Sequence, residues 1–129
     1  MQFLVACLVI GAVVAAQRPG VENCTLKWHT QPLDHFGWEN STFQQRYFVY
    51  DSWFRDGGPI LFYTGNEADV ELFVNNTGWM WANGEELGAV LIFAEHRAFG
   101  KSEMCPGGYQ TCGNHLSSWQ AMGDFASLI

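Results

Sequence analysis

Basic residues are scarce in this sequence. Its 129 residues include six Lys and Arg against 13 Asp and Glu, a formal net charge of −7. The basic side chains are scattered singly, so no basic stripe is present that could neutralise the phosphates of a nucleic acid. The composition therefore disfavours nucleic acid as a partner. An acidic chain instead suits a soluble protein of an acidic or extracellular compartment.

The sequence also lacks the motifs of nucleotide and metal sites. Gly100-Lys101-Ser102 ends like a P-loop, G-x-x-x-x-G-K-[ST], but the first glycine of that motif falls at Glu95, whose carboxylate would repel a phosphate. No H-E-x-x-H or paired-cysteine spacing typical of zinc is present. The four histidines are His29, His35, His96 and His115. The sequence predicts no metal site and no cofactor.

No apolar run is long enough for a membrane span, which needs about 20 residues. The uncharged run from Phe3 to Ala16 has 14 residues and ends in small side chains. It is typical of a secretory signal peptide cleaved after Ala16. We therefore predict that residues 1–16 are a signal peptide. The mature chain is expected to lack a membrane anchor and to reach the lysosome or the extracellular space.

Three N-x-[ST] sequons support entry into the secretory pathway. They place glycosylation sites at Asn23, Asn40 and Asn75. Because a glycan cannot be buried, these three stretches are expected at the surface.

Cysteine is sparse as well. Signal-peptide removal takes Cys7 and leaves Cys24, Cys105 and Cys112. Cys105 and Cys112 enclose a short loop in which Pro106-Gly107-Gly108 can turn the chain, and we predict a disulfide between them. Cys24 is then left over. Either it is an inert buried thiol, or its partner lies in sequence outside this chain.

Apolar runs with the length of strands begin after residue 44. Arg46–Tyr50 is aromatic and β-branched, and turn residues follow it. A short strand or turn is expected around Trp53-Phe54. The unbroken apolar runs Ile60–Tyr63 and Ala89–Ala94 are typical of parallel strands covered on both faces.

Helical spacing separates and follows these strands. Val70–Leu87 predicts a helix made short or irregular by Gly84 and Gly88. Ser117 or Ser118 caps a final helix that continues to the end of the sequence. The resulting βαβα order predicts an α/β fold with an antiparallel edge before it.

Two polar segments follow the predicted buried strands. They are T-G-N-E-A-D at 64–69 and A-E-H-R-A-F-G-K-S at 94–102. With Q-P-L-D-H-F at 31–36, T-F-Q-Q-R-Y at 42–47 and F-V-N-N-T-G at 73–78, they resemble the prolyl-specific serine exopeptidases. This family contains the Pro-X carboxypeptidases, dipeptidyl peptidase II and thymus-specific serine protease.

The resemblance covers about residues 28–129. Three departures from the family pattern are visible. Ala68 stands where the family usually has Gly, Ala98-Phe99 where it has a Tyr pair, and Trp119 where an acidic residue is common. None of them removes a nucleophile, but Ala68 would reshape its loop.

The resemblance implies a Ser-Asp-His hydrolase of the α/β-hydrolase fold that cleaves next to proline near one end of a peptide. In that fold, one oxyanion-hole amide comes from the loop after the third strand. Gly65, Asn66 and Glu67 are the candidates, because glycine lets the backbone approach the substrate. The alternative is a tight turn in which Asn66 and Glu67 only cap the next helix.

The segment Glu95-His96-Arg97 invites a catalytic interpretation. His96 is not expected to be the catalytic base, because in α/β-hydrolases the histidine follows the nucleophile and the acid along the chain. Glu95 and Arg97 are expected to pair with each other instead, and to hold the loop that follows the strand.

No catalytic residue is expected among the 129 present. All six serines lack the G-x-S-x-G sequence that presents a serine nucleophile: Ser41, Ser52, Ser102, Ser117, Ser118 and Ser127. We predict an N-terminal extension at 17–43 and part of an α/β-hydrolase domain at 44–129, truncated before the nucleophile strand. The strand at 89–94 is expected to keep an unpaired, aggregation-prone edge.

The Ser, Asp and His are therefore expected downstream, and the chain alone is expected to be inactive. A peptide is the expected substrate of the full-length product. Two alternatives stay open. One is a short, catalytically dead secreted glycoprotein that binds a partner, and the other is a non-peptidase α/β-hydrolase such as an esterase. Carboxypeptidase or dipeptidyl peptidase specificity and the oligomeric state are not predicted.

Overall fold

A computed structural model describes residues 18–107, 109–111 and 113–129. The predicted signal peptide lies outside the described residues. Within them the chain forms a mixed α/β structure, as predicted. Its elements are β1 (Thr25–Pro32), β2 (Thr42–Tyr50), β3 (Ile60–Thr64), α1 (Val70–Asn76), α2 (Gly78–Leu87), β4 (Val90–Ala94) and α3 (Ser118–Leu128). Short 3-10 turns lie at Val21–Asn23, Tyr109–Thr111 and Gly113–His115.

The strands form one sheet in the order β1-β2-β4-β3. β2 is antiparallel to both of its neighbours, and β3 is parallel to β4 with Thr64 opposite Ala94. The carboxyl ends of β3 and β4 therefore meet at the same edge of the sheet. The loops that begin at Gly65 and Glu95 lie side by side there.

Helices cover both faces of the sheet. Alternate side chains of β2 and β4 pack against α1 and α2 in a cluster made of Phe48, Tyr50, Val70, Val74, Met80, Trp81, Ala89, Leu91 and Phe93. On the opposite face, Ala94 packs against Ala121 and Phe125 of α3. Burial on both faces explains why β4 is a continuous apolar run in the sequence. The same expectation for residues 60–63 is not met, because the side chains of β3, at the edge of the described sheet, are exposed or half-buried.

No strand is predicted before residue 44, yet β1 pairs with β2 along its whole length, from Thr25 opposite Val49 to Pro32 opposite Thr42. Most β1 side chains are exposed, and Gln31 is its one buried residue. The strand therefore lacks the apolar alternation by which strands are recognised. It lies in the segment assigned to the extension and belongs to the same sheet as the rest.

The helix predicted over Val70–Leu87 is two helices. Thr77 separates them with an extended backbone at φ −70° and ψ 115°. Gly84 does not disturb α2. It makes room for β4, because a Cβ at Gly84 would lie 2.8 Å from Cδ1 of Leu91. Gly88 ends α2 in the left-handed conformation at φ 62°, as glycines commonly do.

The prediction of an unpaired edge at residues 89–94 is wrong. β4 is hydrogen-bonded to β2 on one edge and to β3 on the other. The reason is the strand order: β4 lies between β2 and β3, so both of its edges are paired. The strands paired on one edge only, within the described sheet, are β1 and β3.

Candidate active-site edge

A shallow depression of about 130 Å³ lies at the carboxyl ends of β3 and β4. The loop after β3, the loop after β4 and the start of α3 contribute its walls. The lining residues are Glu67, His96, Phe99, Leu116, Ser117 and Ser118. Ligands and reacting groups of open α/β sheets collect at this edge, so both polar segments singled out in the sequence lie where chemistry is expected.

Gly65 brings the loop after β3 into direct contact with the end of β4. A Cβ at this position would lie 2.4 Å from the Ala94 carbonyl oxygen and 2.4 Å from the His96 nitrogen. Real Cβ atoms do not approach backbone this closely, so the position requires glycine. The glycine therefore has a packing reason in addition to the predicted oxyanion role.

Asn66 and Glu67 are exposed beside the depression. Asn66 Oδ1 accepts a hydrogen bond from Glu67 N at 2.9 Å, and its carbonyl accepts one from Ala68 N at 2.7 Å. α1 is capped by Asp69, whose carboxylate accepts from Glu71 N. The alternative in which Asn66 and Glu67 cap that helix is therefore wrong. The oxyanion role of Gly65–Glu67 stays a prediction.

His96 faces the depression from the β4 side. Its Nδ1 lies 2.8 Å from the Arg97 carbonyl oxygen. A carbonyl can only accept, so Nδ1 carries the proton, and Nε2 of the neutral ring is the acceptor nitrogen. Phe99 packs edge-on against the ring at 5.2 Å between centroids. These contacts fix the orientation of the imidazole.

Glu95 and Arg46 form a buried ion pair on the α1 face of the sheet, and both side chains are 0% exposed. The same guanidinium binds Asp69 and Glu71 at its outer side. Burial lowers the pKa of Arg46, but hydrogen bonds and charge from Glu95 and Asp69 outweigh it and raise that pKa further. The arginine is therefore a permanent cation.

Arg97 and Asp124 form a second buried ion pair, on the α3 face. The guanidinium Nε lies 2.7 Å from Asp124 Oδ2, and both side chains are fully buried. Arg97 also donates to the carbonyls of Leu33 and His115. His35 Nε2 lies 2.8 Å from the second oxygen of Asp124. This pair fastens α3 to the end of β1 and to the loop after β4.

The expected ion pair between Glu95 and Arg97 is not formed. Glu95 continues the alternation of Leu91 and Phe93 and points to the α1 face, opposite Arg46 of β2. Its amide donates to the Arg46 carbonyl oxygen at 2.9 Å. The turn after β4, in which Ala98 has φ 67°, directs Arg97 to the other face. Partners on neighbouring elements therefore replace the partner two residues away.

The two cysteines that the structure describes, Cys24 and Cys105, differ in state. Cys105 is disulfide-bonded, and its predicted partner, Cys112, lies outside the described residues. Cys24 is free and packs at the margin of the α1/α2 core. Burial, with a smaller contribution from the charge of Glu22, raises the pKa of its thiol to about 11. This thiol has little thiolate character at neutral pH.

All three sequon asparagines are exposed. Asn40 lies in the loop between β1 and β2. Asn75 Oδ1 accepts a hydrogen bond from Val21 N at 3.0 Å, and Asn23 Oδ1 accepts one from Gly20 N at 3.0 Å. Glycosylation at these positions stays a prediction.

The described residues include neither a grouping of metal ligands nor a membrane-spanning helix. Among them, no group of three or more His, Cys, Asp or Glu side chains is placed to hold a metal ion. None of the helices that the structure describes has the length and apolar character of a membrane span.

Comparison with known proteins decides the family. Residues 31–129 match the family model of serine carboxypeptidase S28. The chain belongs to the serine carboxypeptidase S28 family. The S28 match begins at Gln31, the buried residue of β1. The side-chain amide of Gln31 donates hydrogen bonds to Gln45 Oε1 at 2.7 Å and to the Asp124 carbonyl oxygen at 2.8 Å.

The relatives include lysosomal Pro-X carboxypeptidases of mammals. The chain is 50% identical to the one from Pongo abelii over 115 residues, which is 84% of this chain and 23% of that protein. For the Mus musculus protein, the identity is 53% over 106 residues, 77% of this chain and 21% of the relative. A putative serine protease of Caenorhabditis elegans, pcp-1, is 39% identical over 81% of this chain and 19% of its own length. The chain thus spans about a fifth of the relatives it matches.

Four residues that take part in the buried ion-pair clusters were not singled out by the sequence analysis. They are Arg46, Ser102, Asp124 and His35, which complete the two ion-pair clusters. One signal was available: Arg46 lies inside the T-F-Q-Q-R-Y segment that carries the resemblance. Asp124 lies among the apolar residues of a helix and gives no local indication of its partner.

Proposed function

We propose that this chain is the N-terminal part of a serine-type exopeptidase that cleaves proline-containing peptides, with Ser, Asp and His supplied by downstream residues. The S28 family is a serine peptidase family, and relatives named for Pro-X carboxypeptidase activity match most of this chain. They extend over about four times its length. None of the six serines present lies in G-x-S-x-G, so we place the nucleophile in the remaining sequence.

The contribution of this chain to catalysis is the oxyanion loop at Gly65–Glu67. The observation that carries this proposal is the contact of Gly65 with the backbone at Ala94 and His96. It fixes the loop beside the end of β4 at the edge where reacting groups gather. A further parallel strand added beside β3 would end at the same edge and would bring a nucleophile turn next to Gly65.

The proposed destination is the lysosome, reached through the secretory pathway. The lysosomal names of the mammalian relatives, the apolar run at 3–16 and the three exposed sequons support it. Treatment of the secreted or lysosomal product with an N-glycosidase should increase its electrophoretic mobility. Mass spectrometry should assign the glycans to Asn23, Asn40 and Asn75.

The decisive experiment is to extend the transcript beyond the codon for Ile129 and to express the complete product. We expect a G-x-S-x-G sequence downstream and hydrolysis of peptides with proline next to the scissile bond. Alanine in place of the motif serine should abolish turnover, since loss of the nucleophile of a measured serine protease lowers kcat by about 10⁶.

Other outcomes would favour the alternatives. Hydrolysis of simple esters without cleavage of proline-containing peptides would favour an esterase. A genuine stop codon after Ile129, together with a monodisperse folded product, would favour a short glycoprotein that binds a partner.

A further inference from the structure

Glu95 joins three segments of the molecule through one buried carboxylate. Oε1 accepts from Arg46 and from Val70 N at 3.1 Å. Oε2 accepts from Arg46 Nε at 3.3 Å, Lys101 N at 2.9 Å, and both N and Oγ of Ser102 at 2.8 and 2.7 Å. The buried carboxylate thus accepts six hydrogen bonds, from β2, from the start of α1 and from the loop after β4.

The loop after β4 is folded around this carboxylate. Gly100 has φ +56°, and a Cβ there would lie 1.9 Å from Glu95 Oε1. Successive backbone N–H groups that converge on an anion form a nest of the kind that binds phosphate in other proteins. In Gly100-Lys101-Ser102 the anion is Glu95 itself. In the segment that resembles the end of a P-loop, the backbone N–H groups of Lys101 and Ser102 therefore already bind a carboxylate of this chain.

The same carboxylate fixes the loop after β3. That loop, residues 65–69, is held at its start by the contact of Gly65 with the end of β4. It is held at its end by the hydrogen bond from Val70 N to Glu95 Oε1. Asp69, the last residue of the loop, binds Arg46, which is the ionic partner of Glu95. The start of the loop thus contacts the backbone around Glu95, and its end is hydrogen-bonded to the Glu95 carboxylate.

We propose that Glu95 is a positioning residue for the oxyanion loop. It touches no substrate and acts through the backbone of residues 65–69, which it holds at a fixed distance from the end of β4. The inference rests on the proposed function, because it assigns a role to Glu95 in that reaction. Two acceptor oxygens are needed, since Oε1 and Oε2 both accept hydrogen bonds and the NH₂ group of a glutamine can only donate.

The test uses the full-length enzyme and Glu95→Gln, which keeps the size of the side chain. Loss of one oxyanion donor lowers kcat by about 10²–10³ in a measured protease. We expect kcat of E95Q to fall about 100-fold on a proline-containing peptide, with KM changed less than about threefold. The affinity for a peptide aldehyde, which mimics the transition state, should fall in parallel with kcat.

Asp124→Asn is the matched control. Asp124 is equally buried and equally bound to an arginine, but it lies on the opposite face, and its polar partners include Arg97, His35 and Gln31. D124N should lower the thermal midpoint about as much as E95Q while kcat stays within about twofold. Ser102→Ala removes one of the donors to Glu95 and is the variant for use if E95Q fails to fold. Its kcat should fall about three- to tenfold.

Three results would overturn the inference. They are an E95Q enzyme with kcat within twofold of wild type, a D124N enzyme that loses kcat as strongly as E95Q, and a folded S102A enzyme with unchanged kcat. A wild-type enzyme that cleaves no proline-containing peptide would overturn the proposed function, and this inference with it. The activity of the wild-type enzyme on proline-containing peptides thus distinguishes failure of the proposed function from failure of the role assigned to Glu95.

Discussion

Arg46 and Arg97 are both fully buried, on opposite faces of one sheet. A buried guanidinium without a partner is strongly unfavourable, because desolvation of its charge is uncompensated. Each arginine therefore has a fully buried carboxylate beside it, Glu95 for one and Asp124 for the other. At the scale of single residues, the first pair joins β2 to the end of β4, and the second joins α3 to the residue that follows β4 by three positions, Arg97.

Gly65→Ala is predicted to destabilise the protein. The added Cβ would lie 2.4 Å from two backbone atoms that have no room to move, and overpacking of this kind costs about 1–3 kcal/mol. Urea unfolding followed by tryptophan fluorescence measures the loss. Gly78→Ala is the control, because a Cβ at Gly78 meets nothing within 4 Å. Equal stability of the two variants would contradict the tight contact at Gly65.

Asp69→Asn is predicted to change how the free energy of unfolding depends on pH in the acidic range. Burial raises the pKa of Asp69, but the hydrogen bond from Glu71 N and the charge of Arg46 outweigh it, so that the pKa is lowered. The unfolded value is about 3.9. Asp69 therefore stabilises the folded state above about pH 4, and this contribution is lost as pH falls through the lower folded pKa.

D69N should be less stable than wild type at pH 5 to 7, and the difference should shrink below about pH 4. Asparagine keeps the helix cap, so the variant isolates the charge. Solvent screening reduces the expected loss of stability, since the Asp69 side chain is 43% exposed. Thermal unfolding across this pH range measures it. Asp56→Asn, in an exposed turn, is the control, and a similar pH profile for both variants would refute the assignment to the Arg46 pair.

At the scale of elements, Trp81 is the large aromatic residue by which α2 packs on the sheet. Trp81 is 5% exposed and packs edge-on against Tyr50 and stacked on Phe93. Its Nε1 donates to the Val74 carbonyl oxygen at 2.7 Å. This carbonyl belongs to the last turn of α1, so the same side chain connects both helices to the core on either side of the break at Thr77.

Trp81→Ala should lower the free energy of unfolding by about 3–5 kcal/mol, the usual cost of truncating a large buried aromatic side chain. Trp79→Ala lies on the same helix but is 63% exposed, so its effect should stay within about 0.5 kcal/mol. Equilibrium denaturation of both variants measures the difference. Comparable losses would mean that α2 does not pack on the sheet as described.

At the scale of the whole molecule, β3 is one of the two edge strands of the described sheet, and the more apolar of them. Its first residue, Ile60, is 49% exposed, and an apolar edge with free backbone groups pairs readily with another chain. A polypeptide of residues 17–129 alone is therefore predicted to self-associate through this strand.

Ile60→Lys should reduce this association, because a lysine on an edge strand opposes edge-to-edge pairing. Leu72→Lys, at a position that is 54% exposed on α1, should leave it unchanged. Size-exclusion chromatography with light scattering measures the mass of each species. Equal dissociation by both substitutions would indicate general hydrophobic contact instead of strand pairing.

The sequence by itself determined the α/β class, the cores of β2, β3 and β4, and α3, because apolar runs and helical spacing are local properties of the chain. The resemblance at residues 64–69 and 94–102 also identified the family. Only the tertiary structure decided that β1 belongs to the sheet, that β4 is covered on both edges, and that Glu95 binds Arg46 while Arg97 binds Asp124. These features depend on which distant segments are brought together. An exposed edge strand and a buried ion pair have no periodic pattern from which their partners could be predicted.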